Sequence, residues 1–236
     1  DLCVAVNVDI TNEGKIARRS GTTSTAITSS AHSLFTGIND TFFVSGSVLY
    51  ALNSDYTTVS IVTGLTPGFT MAYCDVLDRT YYCNTKQKGY IRHRANYSWV
   101  AGTYVGPTTY RTYSDPPIGS LLGLYKGRMY VVKDNTLWYS EPFAYSMFDM
   151  ARSYVWFEQN ITSLLPVEDG LYVSADKVYF LRGNQPVEFA LSTVSSYPIV
   201  GQTGVVVQGE NLLDKSYSGK CALWTSQDGI FIGYVN

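Results

Sequence analysis

The sequence predicts an all-β protein, a β-propeller built from about five or more repeated blades of about 40–50 residues each. Three observations support this class: the composition, a recurring hairpin pattern and the spacing of its turns. The 236 residues include 20 tyrosines and 20 glycines, and only 15% are charged. Tyr, Thr, Val and Phe suit a half-buried pleated surface better than a helix. A chain of this length can bury a core as one large all-β domain.

Two segments repeat one short pattern. KGRMYVVKDNTLWYSEP, from Lys126, and EDGLYVSADKVYFLRGN, from Glu168, both run from a turn through an apolar strand and a second turn to an aromatic strand. Three further segments, beginning at His32, Phe69 and Cys221, carry the same order of strand and turn. Self-similarity of this kind indicates repeated structural units.

The first turn of each unit falls on a pair of residues suited to a hairpin, because Asp-Gly and related pairs supply positive φ angles. The pairs are Asn39-Asp40, Asp78-Arg79, Lys126-Gly127, Asp169-Gly170 and Asp228-Gly229. They recur at broadly similar intervals, of which the last is the longest. Within a single domain the units fall near residues 31–66, 69–105, 119–158, 161–195 and 196–236. A β-sandwich of hairpins is the alternative architecture.

The strand that contains Met129 and Val131 indicates why such units would stack. These two residues point to one side, and Tyr130 and Val132, which point to the other, are also apolar or aromatic. A sheet with two apolar faces needs a neighbour on each, and radial stacking of blades supplies both while leaving short protected edges.

The N-terminal segment 1–30 predicts a strand hairpin that precedes the blades or closes the ring. Val4–Ile10 forms the outgoing strand, Asn12–Lys15 the turn and Ile16–Arg19 the return. The segment Phe143–Ser153 is a weak helix candidate, which we expect to be a long loop with at most one helical turn. The sequence begins at Asp1 and ends directly after the strand-like IFIGYV, and we interpret it as an incomplete chain.

The four cysteines lack the spacing of a metal site. A hairpin closed at Asp78-Arg79 would place Cys74 opposite Cys83, where they would form a cross-strand disulfide or stay as buried thiols that fill the core. The second interpretation is favoured.

Charge and motifs exclude several function classes. The net charge of −2 argues against direct nucleic-acid contact. No apolar run approaches the length of about 18 residues that a membrane helix needs. Neither His32 nor His93 lies in a metal-ligand spacing or beside a nucleophile, so we expect both to be ordinary surface groups. No catalytic motif occurs, and the sequence therefore predicts no enzyme, cofactor or metal.

Tyrosine and arginine are favoured at protein interfaces because they carry a large contact area with a polar tip. The stretch YVGPTTYRTY and the basic pair of the N-terminal hairpin therefore supply the candidate interface residues. These are Tyr104, Tyr110, Arg111, Tyr113, Arg18 and Arg19. The tyrosines of this stretch would also suit stacking on sugars, so a glycan partner is an alternative.

Several phrases together resemble a known family. AVNVDITNEGKIARRSG, LWYSEPFAYSMFD and ITSLLPVEDGLYVSADKVYFLRG are similar, in this order, to segments of virion structural proteins from tailed bacteriophages and prophages. YPIVGQTG and CALWTSQDGIFIG continue the same order, so the resemblance spans nearly the whole chain. These motifs are structural and carry no catalytic signature.

The resemblance implies a propeller-like tail protein or head-to-tail connector of the phage particle, made in the host cytoplasm and located in the virion. Such a protein would dock in symmetric, multiple copies on neighbouring tail or neck proteins. One alternative is a propeller on a phage tail that binds a carbohydrate or receptor. Another is a secreted glycosidase, which would need two carboxylates at a controlled separation. The candidates for that pair are Asp115, Glu141, Asp149 and Glu168.

Overall fold

The computed structural model describes residues 30–103, 111–212 and 219–234, together with the backbone of residues 8–10 and 16–18. These residues form antiparallel strands that are grouped into five sheets and one hairpin. The hairpin pairs β1 (Val8–Ile10) with β2 (Ile16–Arg18). This pairing confirms the predicted N-terminal strands over Val8–Ile10 and Ile16–Arg18. Residues 4–7, the predicted turn at 12–15 and Arg19 lie outside the described residues.

The strands of the five sheets follow one another along the chain. Sheet 1 contains β3 (Ala31–Thr36), β4 (Thr41–Ser45), β5 (Val48–Leu52) and β6 (Thr58–Val62), and sheet 2 contains β7 (Ala72–Val76), β8 (Arg79–Cys83), β9 (Lys88–Arg92) and β10 (Ala95–Tyr97). Sheet 3 contains β11 (Leu121–Tyr125), β12 (Arg128–Lys133), β13 (Thr136–Tyr139) and β14 (Tyr154–Trp156). Sheet 4 contains β15 (Ser163–Pro166), β16 (Gly170–Ser174), β17 (Val178–Arg182) and β18 (Ala190–Ser195), and sheet 5 contains β19 (Val205–Gln208), β20 (Lys220–Ser226) and β21 (Gly229–Gly233).

Each sheet is a meander in which the strands lie in sequence order. From sheet 2 to sheet 5 the first strands are neighbours: β7 contacts β11, β11 contacts β15, and β15 contacts β19. Sheets 1 and 2 also contact each other through their last strands, β6 and β10. The last strands, such as β10 and β18, are largely exposed. Sheets that meet at their first strands and end at exposed last strands radiate from a common axis. The chain is therefore an all-β propeller, as predicted, and the β-sandwich alternative is wrong.

The repeat is more regular than the turn spacing suggests. The first strands of the five sheets begin at Ala31, Ala72, Leu121, Ser163 and Val205. Each interval between them is therefore about 40–50 residues, the length of one blade. The pair Asp228-Gly229, predicted as a first turn, accounts for the longer final interval between the predicted turns. It closes β20 on β21 and is the second turn of sheet 5.

Four clusters of buried side chains among the described residues each join two consecutive sheets. In β12, Met129 and Val131 pack with Tyr81 of sheet 2. Tyr130 and Val132 of the same strand pack in the cluster shared with sheet 4. The predicted burial of both faces of this strand is confirmed, and all four of these β12 residues are fully buried.

Sheet 5 packs on a neighbouring sheet with only one of its faces, among the residues described. Ala222 and Trp224 of β20 lie in the cluster shared with sheet 4. Val205, Leu223 and Ile232 form a cross-strand row on the opposite face. Val205 is 48% exposed and Ile232 is 39% exposed. This outer face of sheet 5 is apolar and uncovered by the described part of the chain.

The cysteines of sheet 2 are free, buried thiols. The turn of this sheet is Leu77-Asp78 rather than Asp78-Arg79, so Cys74 lies opposite Tyr81 and Cys83 lies opposite Ala72. The two thiols therefore do not face each other as the disulfide alternative requires. Burial raises the pKa of each from its ordinary value of 9.0 to about 12.

The segment 143–153 contains turns and no regular helix. The backbone N–H of Ser153 donates to the carbonyl of Asp149, which forms one helical turn and agrees with a loop that holds at most one. Two short 3-10 turns, at Pro186–Glu188 and Gly209–Asn211, are the helical elements of the described residues. None of the helices in this part of the chain has the length and apolar character to cross a bilayer.

A row of three leucines in sheet 4 tests the radial arrangement. Leu171, Leu181 and Leu191 lie opposite one another on three successive strands and are 0%, 2% and 57% exposed. We expect Leu171→Ala to lower the free energy of unfolding by about 2–5 kcal/mol, because it leaves a cavity between sheets. Leu191→Ala, the matched control, should change it by less than about 1 kcal/mol. Denaturant unfolding measures the free energy of unfolding of both variants. An equal loss in the two would contradict the radial order of the strands.

The thiols supply a second test. At pH 9, Cys74 and Cys83 should resist iodoacetamide in the native protein and react once it unfolds, because their raised pKa keeps them protonated only in the fold. Stability should fall as the pH rises above 9.0, since the unfolded state releases these protons first. Peptide mass mapping reports the alkylation, and denaturant unfolding at several pH values reports the stability. Rapid alkylation of either residue in the native protein would contradict the assignment of both as buried thiols with a raised pKa.

Candidate interaction surface

The propeller has two ends with different structures. The end here named the turn face carries the first and third turns of the sheets, at residues 37–40, 53–57, 77–78, 93–94, 126–127, 140–153, 167–169 and 183–189. The opposite end, the loop face, carries the second turns and the connections between sheets, at residues 46–47, 63–71, 84–87, 134–135, 157–162, 175–177 and 196–204. In meanders that radiate from one axis, alternate turns fall at opposite ends.

Large apolar side chains project from the turn face. Leu77 is 82% exposed and Phe143 is 78% exposed, although both have positive φ angles, of 55° and 56°. Tyr56 shares these features, with 64% exposure and a φ of 65°. A left-handed backbone costs a non-glycine residue about 1–3 kcal/mol. Water does not favour an exposed apolar side chain in this position, and such strain is characteristic of functional surfaces.

Other exposed apolar residues extend this set around the same end. Ile38, in the first turn of sheet 1, and Val187, in the third connection of sheet 4, are both 86% exposed. Sheets 1 to 4 thus each contribute at least one projecting apolar side chain. The left-handed residues Thr85 and Asp134 at the loop face are polar, as are His93, Arg94 and Lys126 at the turn face.

Asp75 fixes the position of the Ile38 turn. One of its carboxylate oxygens accepts a hydrogen bond from the backbone N–H of Ile38 at 2.5 Å, and the other accepts from the Thr80 hydroxyl at 2.5 Å. The turn approaches so closely that a side chain at Gly37 would collide with this carboxylate. A carboxylate of sheet 2 therefore holds the turn of sheet 1 in place.

Arginine–carboxylate pairs surround the projecting residues. Arg94 of sheet 2 donates two hydrogen bonds to Asp40 of sheet 1, at 2.5 and 2.9 Å, and a third to Asn53 at 2.7 Å. The hydrogen bond to Asp40 raises the pKa of Arg94. Arg92 donates to Asp78 at 2.5 Å, and this hydrogen bond holds the pKa of Asp78 below its ordinary value. These pairs orient the turns on either side of Leu77.

The pattern continues on sheets 3 and 4. Glu141 contacts Arg111 and lies 3.7 Å from Arg128. Burial lowers the pKa of Arg128, whose guanidinium also donates to the carbonyl of Ser140 at 2.6 Å. On sheet 4 the side chains of Arg182 and Asp169 lie 3.6 Å apart. Arginine and aromatic side chains are the residues that dominate the binding energy of interfaces.

Two clefts flank the Leu77-Asp78 turn. One has a volume of about 340 Å³ between sheets 1 and 2, with Asp40, Asp78 and Arg94 in its wall and Phe42 and Ile91 at its floor. The other, of about 210 Å³, lies between sheets 2 and 3 and includes Leu77, Phe143 and Tyr145. The surface therefore combines projecting apolar residues with recesses that have apolar floors and charged walls, which is the geometry of a protein-docking patch.

The predicted interface residues fall in different places. Arg111 lies at the turn face, where its guanidinium contacts Glu141. Tyr113 is half-buried beside the strand-like bridge at Ser114. Arg18 lies in β2, of which only the backbone is described. Three further candidates are outside the described residues: Tyr104, Tyr110 and Arg19.

The residues considered for chemistry take part in local structural contacts. His32 shares a hydrogen bond with the Ser33 hydroxyl at 2.8 Å, and His93 occupies the third turn of sheet 2. Asp115 accepts from the N–H of Ala101, and Asp149 is buried and accepts from the N–H of Ala151. Glu141 engages arginines and Glu168 lies in the first turn of sheet 4. No three His, Cys, Asp or Glu residues in the described ranges converge as a metal site would require.

Sequence reasoning missed Leu77, Phe143 and Tyr56. A signal was present for the first of these, because an apolar residue stood next to a turn that lacked the usual glycine. For Phe143 and Tyr56 the left-handed backbone was not indicated, since bulky residues adopt it rarely.

The comparisons with known proteins bear on the fold. No family model and no curated protein matches the chain. Two solved structures of BBS1N in complex with ARL6DN are similar: one at 14% identity and a TM-score of 0.51 over 87% of this chain, the other at 11% and 0.53 over 95%. The WD40 domain of Pan2 from Neurospora crassa aligns at 8% identity over 86% of this chain and 64% of its own, with a TM-score of 0.47.

The chain spans 64% and 74% of the two BBS1N chains. At such low identity the likeness shows the propeller fold alone. It agrees with the radial sheets and gives no substrate or partner for this chain.

The Arg92–Asp78 pair at the turn face can be tested by measuring the pKa of Asp78. Arg92→Gln should raise the pKa of Asp78 toward its ordinary value of 3.8, because the strongest hydrogen bond to the carboxylate is lost. The pair stabilises the fold above that ordinary pKa, and its contribution is lost as the pH falls through the lower folded-state pKa. NMR titration of the side-chain carboxyl carbon of Asp78 measures this pKa. Arg182→Gln is the control, and a shift of Asp78 as large in that variant would contradict the pairing.

Proposed function

We propose that this protein is a non-enzymatic structural component of a tailed-phage virion. It docks on neighbouring tail or neck proteins in multiple copies, and the turn face is its principal contact surface. The observation that carries the proposal is the pair of left-handed, exposed residues Leu77 and Phe143 beside a shared cleft. The collinear resemblance of the sequence to virion proteins supplies the setting.

The chemistry of the turn face supports assembly with another protein. Exposed apolar side chains lose contact with water on docking, which is favourable by about 25 cal/mol per Å² of buried apolar area. The arginine–carboxylate pairs are already formed in the free protein, so little side-chain freedom is lost when a partner covers them. Docked subunits would then share an apolar centre surrounded by polar pairs.

The test uses particles assembled in a host that expresses the chain with the other virion proteins. The double variant Leu77→Asn/Phe143→Asn keeps the backbone angles, because asparagine tolerates positive φ. We expect at least about a tenfold loss of the chain from purified particles, since two central apolar contacts disappear. Quantitative mass spectrometry of the particles measures it.

Val200→Asn is the matched control, because Val200 is 49% exposed at the loop face. Circular dichroism should show the native fold for both proteins. If the double variant enters particles as efficiently as the control, the turn face is not the docking surface. If the unmodified chain is absent from purified particles, the virion role itself is wrong.

A further inference from the structure

A groove crosses the loop face at the propeller axis. Its main cavity has a volume of about 500 Å³, within the range of about 300–1,000 Å³ that is typical of ligand sites. Segments from the starts of sheets 2, 3, 4 and 5 line it. A second cavity of about 270 Å³ adjoins it and shares Thr85, Ser120 and Ile161. The two cavities lie side by side on the surface and are here together named the axial groove.

The rim of the axial groove consists of neutral polar side chains. Thr70, Thr85, Asn160, Thr162 and Gln202 are all exposed there. Hydroxyl and amide groups can each donate and accept hydrogen bonds. The amide of Gln202 donates to the hydroxyl of Thr70 at 3.5 Å, the outer limit of a hydrogen bond, so exchange for a ligand hydroxyl costs little.

The floor of the groove is apolar. Met71 and Ile161 are buried beneath it and Leu121 is half-buried. Phe69 stands at the edge, with the Lys86 ammonium 5.0 Å from the centre of its ring. A ligand that fits must present an apolar surface toward the floor and hydrogen-bonding groups toward the rim.

The charge of the residues that line the groove distinguishes between the classes of ligand that could bind there. No arginine lines the groove in the described ranges, and the charged residues of its lining are the neighbours Lys133 and Asp134 at one end. Lys86 adds one cation beside Phe69 at the edge. A nucleic acid or another polyanion needs several cations for binding. A pyranose ring has an apolar face of C–H groups and an edge of neutral hydroxyls, which matches the floor and the rim.

We infer that the axial groove binds a neutral oligosaccharide. Its sugar rings lie across the apolar floor, and Asn160 and Gln202 hydrogen-bond to its hydroxyls from opposite sides. Two adjoining cavities suit a chain of sugars rather than a single one. This site is separate from the turn face, and the inference holds whether or not the turn face docks on virion proteins.

The test is saturation-transfer NMR with the full chain. The probes are maltohexaose, cellohexaose and chitohexaose, with a heparin hexasaccharide as the anionic comparison. We expect at least one neutral probe to bind with a Kd of about 1 mM or lower. Asn160→Ala/Gln202→Ala should weaken that binding about tenfold, since both hydrogen-bonding amides are removed.

The turn-face variant Leu77→Asn is the control and should bind the sugar as the unmodified chain does. Both altered amides are exposed, so the double variant should keep its melting temperature. The inference is overturned if no neutral probe binds, if heparin binds more tightly than all three, or if the double variant binds unchanged.

Discussion

The structure depends on one constraint: every inner sheet of the propeller has two apolar faces. Met129 and Val131 face one neighbour and Tyr130 and Val132 face the other, so sheet 3 cannot satisfy both faces alone. Burial between sheets is the dominant favourable contribution to folding in such an arrangement. It also explains the sequence repeat, because each blade must present similar strands to similar neighbours.

Packing between faces leaves the two ends of the propeller free for other tasks. At the turn face, hydrogen bonds across sheet boundaries hold the turns in register, as Asp75 does for Ile38 and Arg94 does for Asp40. These contacts lie outside the apolar clusters. Leu77 and Phe143 are accommodated there because the strands beneath them are already fixed by burial.

Much of the fold could be predicted from the sequence. The spacing of the repeated units and the alternation of apolar residues along a strand both indicate which residues are buried. In β12 the residues of both faces are apolar or aromatic, which predicted a strand packed between two neighbouring sheets. The structure confirms this burial. Turn positions were less accurate, because Leu77 takes a left-handed conformation that its residue type disfavours. In sheet 5, the short strand β19 was not recognised, and the turn at Asp228-Gly229 was assigned to the wrong pair of strands. The axial groove could not be predicted, since it gathers residues as distant in sequence as Thr70 and Gln202.

The uncovered face of sheet 5 has a consequence for how the molecule opens. In a row of stacked repeats, stability is approximately a sum of terms between nearest neighbours. Among the described residues, sheet 3 is held by a cluster on either side, whereas sheet 5 is held by the one that contains Trp224. Local unfolding should therefore be graded along the row, with amide protons of β20 exchanging with solvent sooner than those of β12. The propeller would then unfold one blade at a time, beginning at sheet 5 and proceeding toward sheet 3.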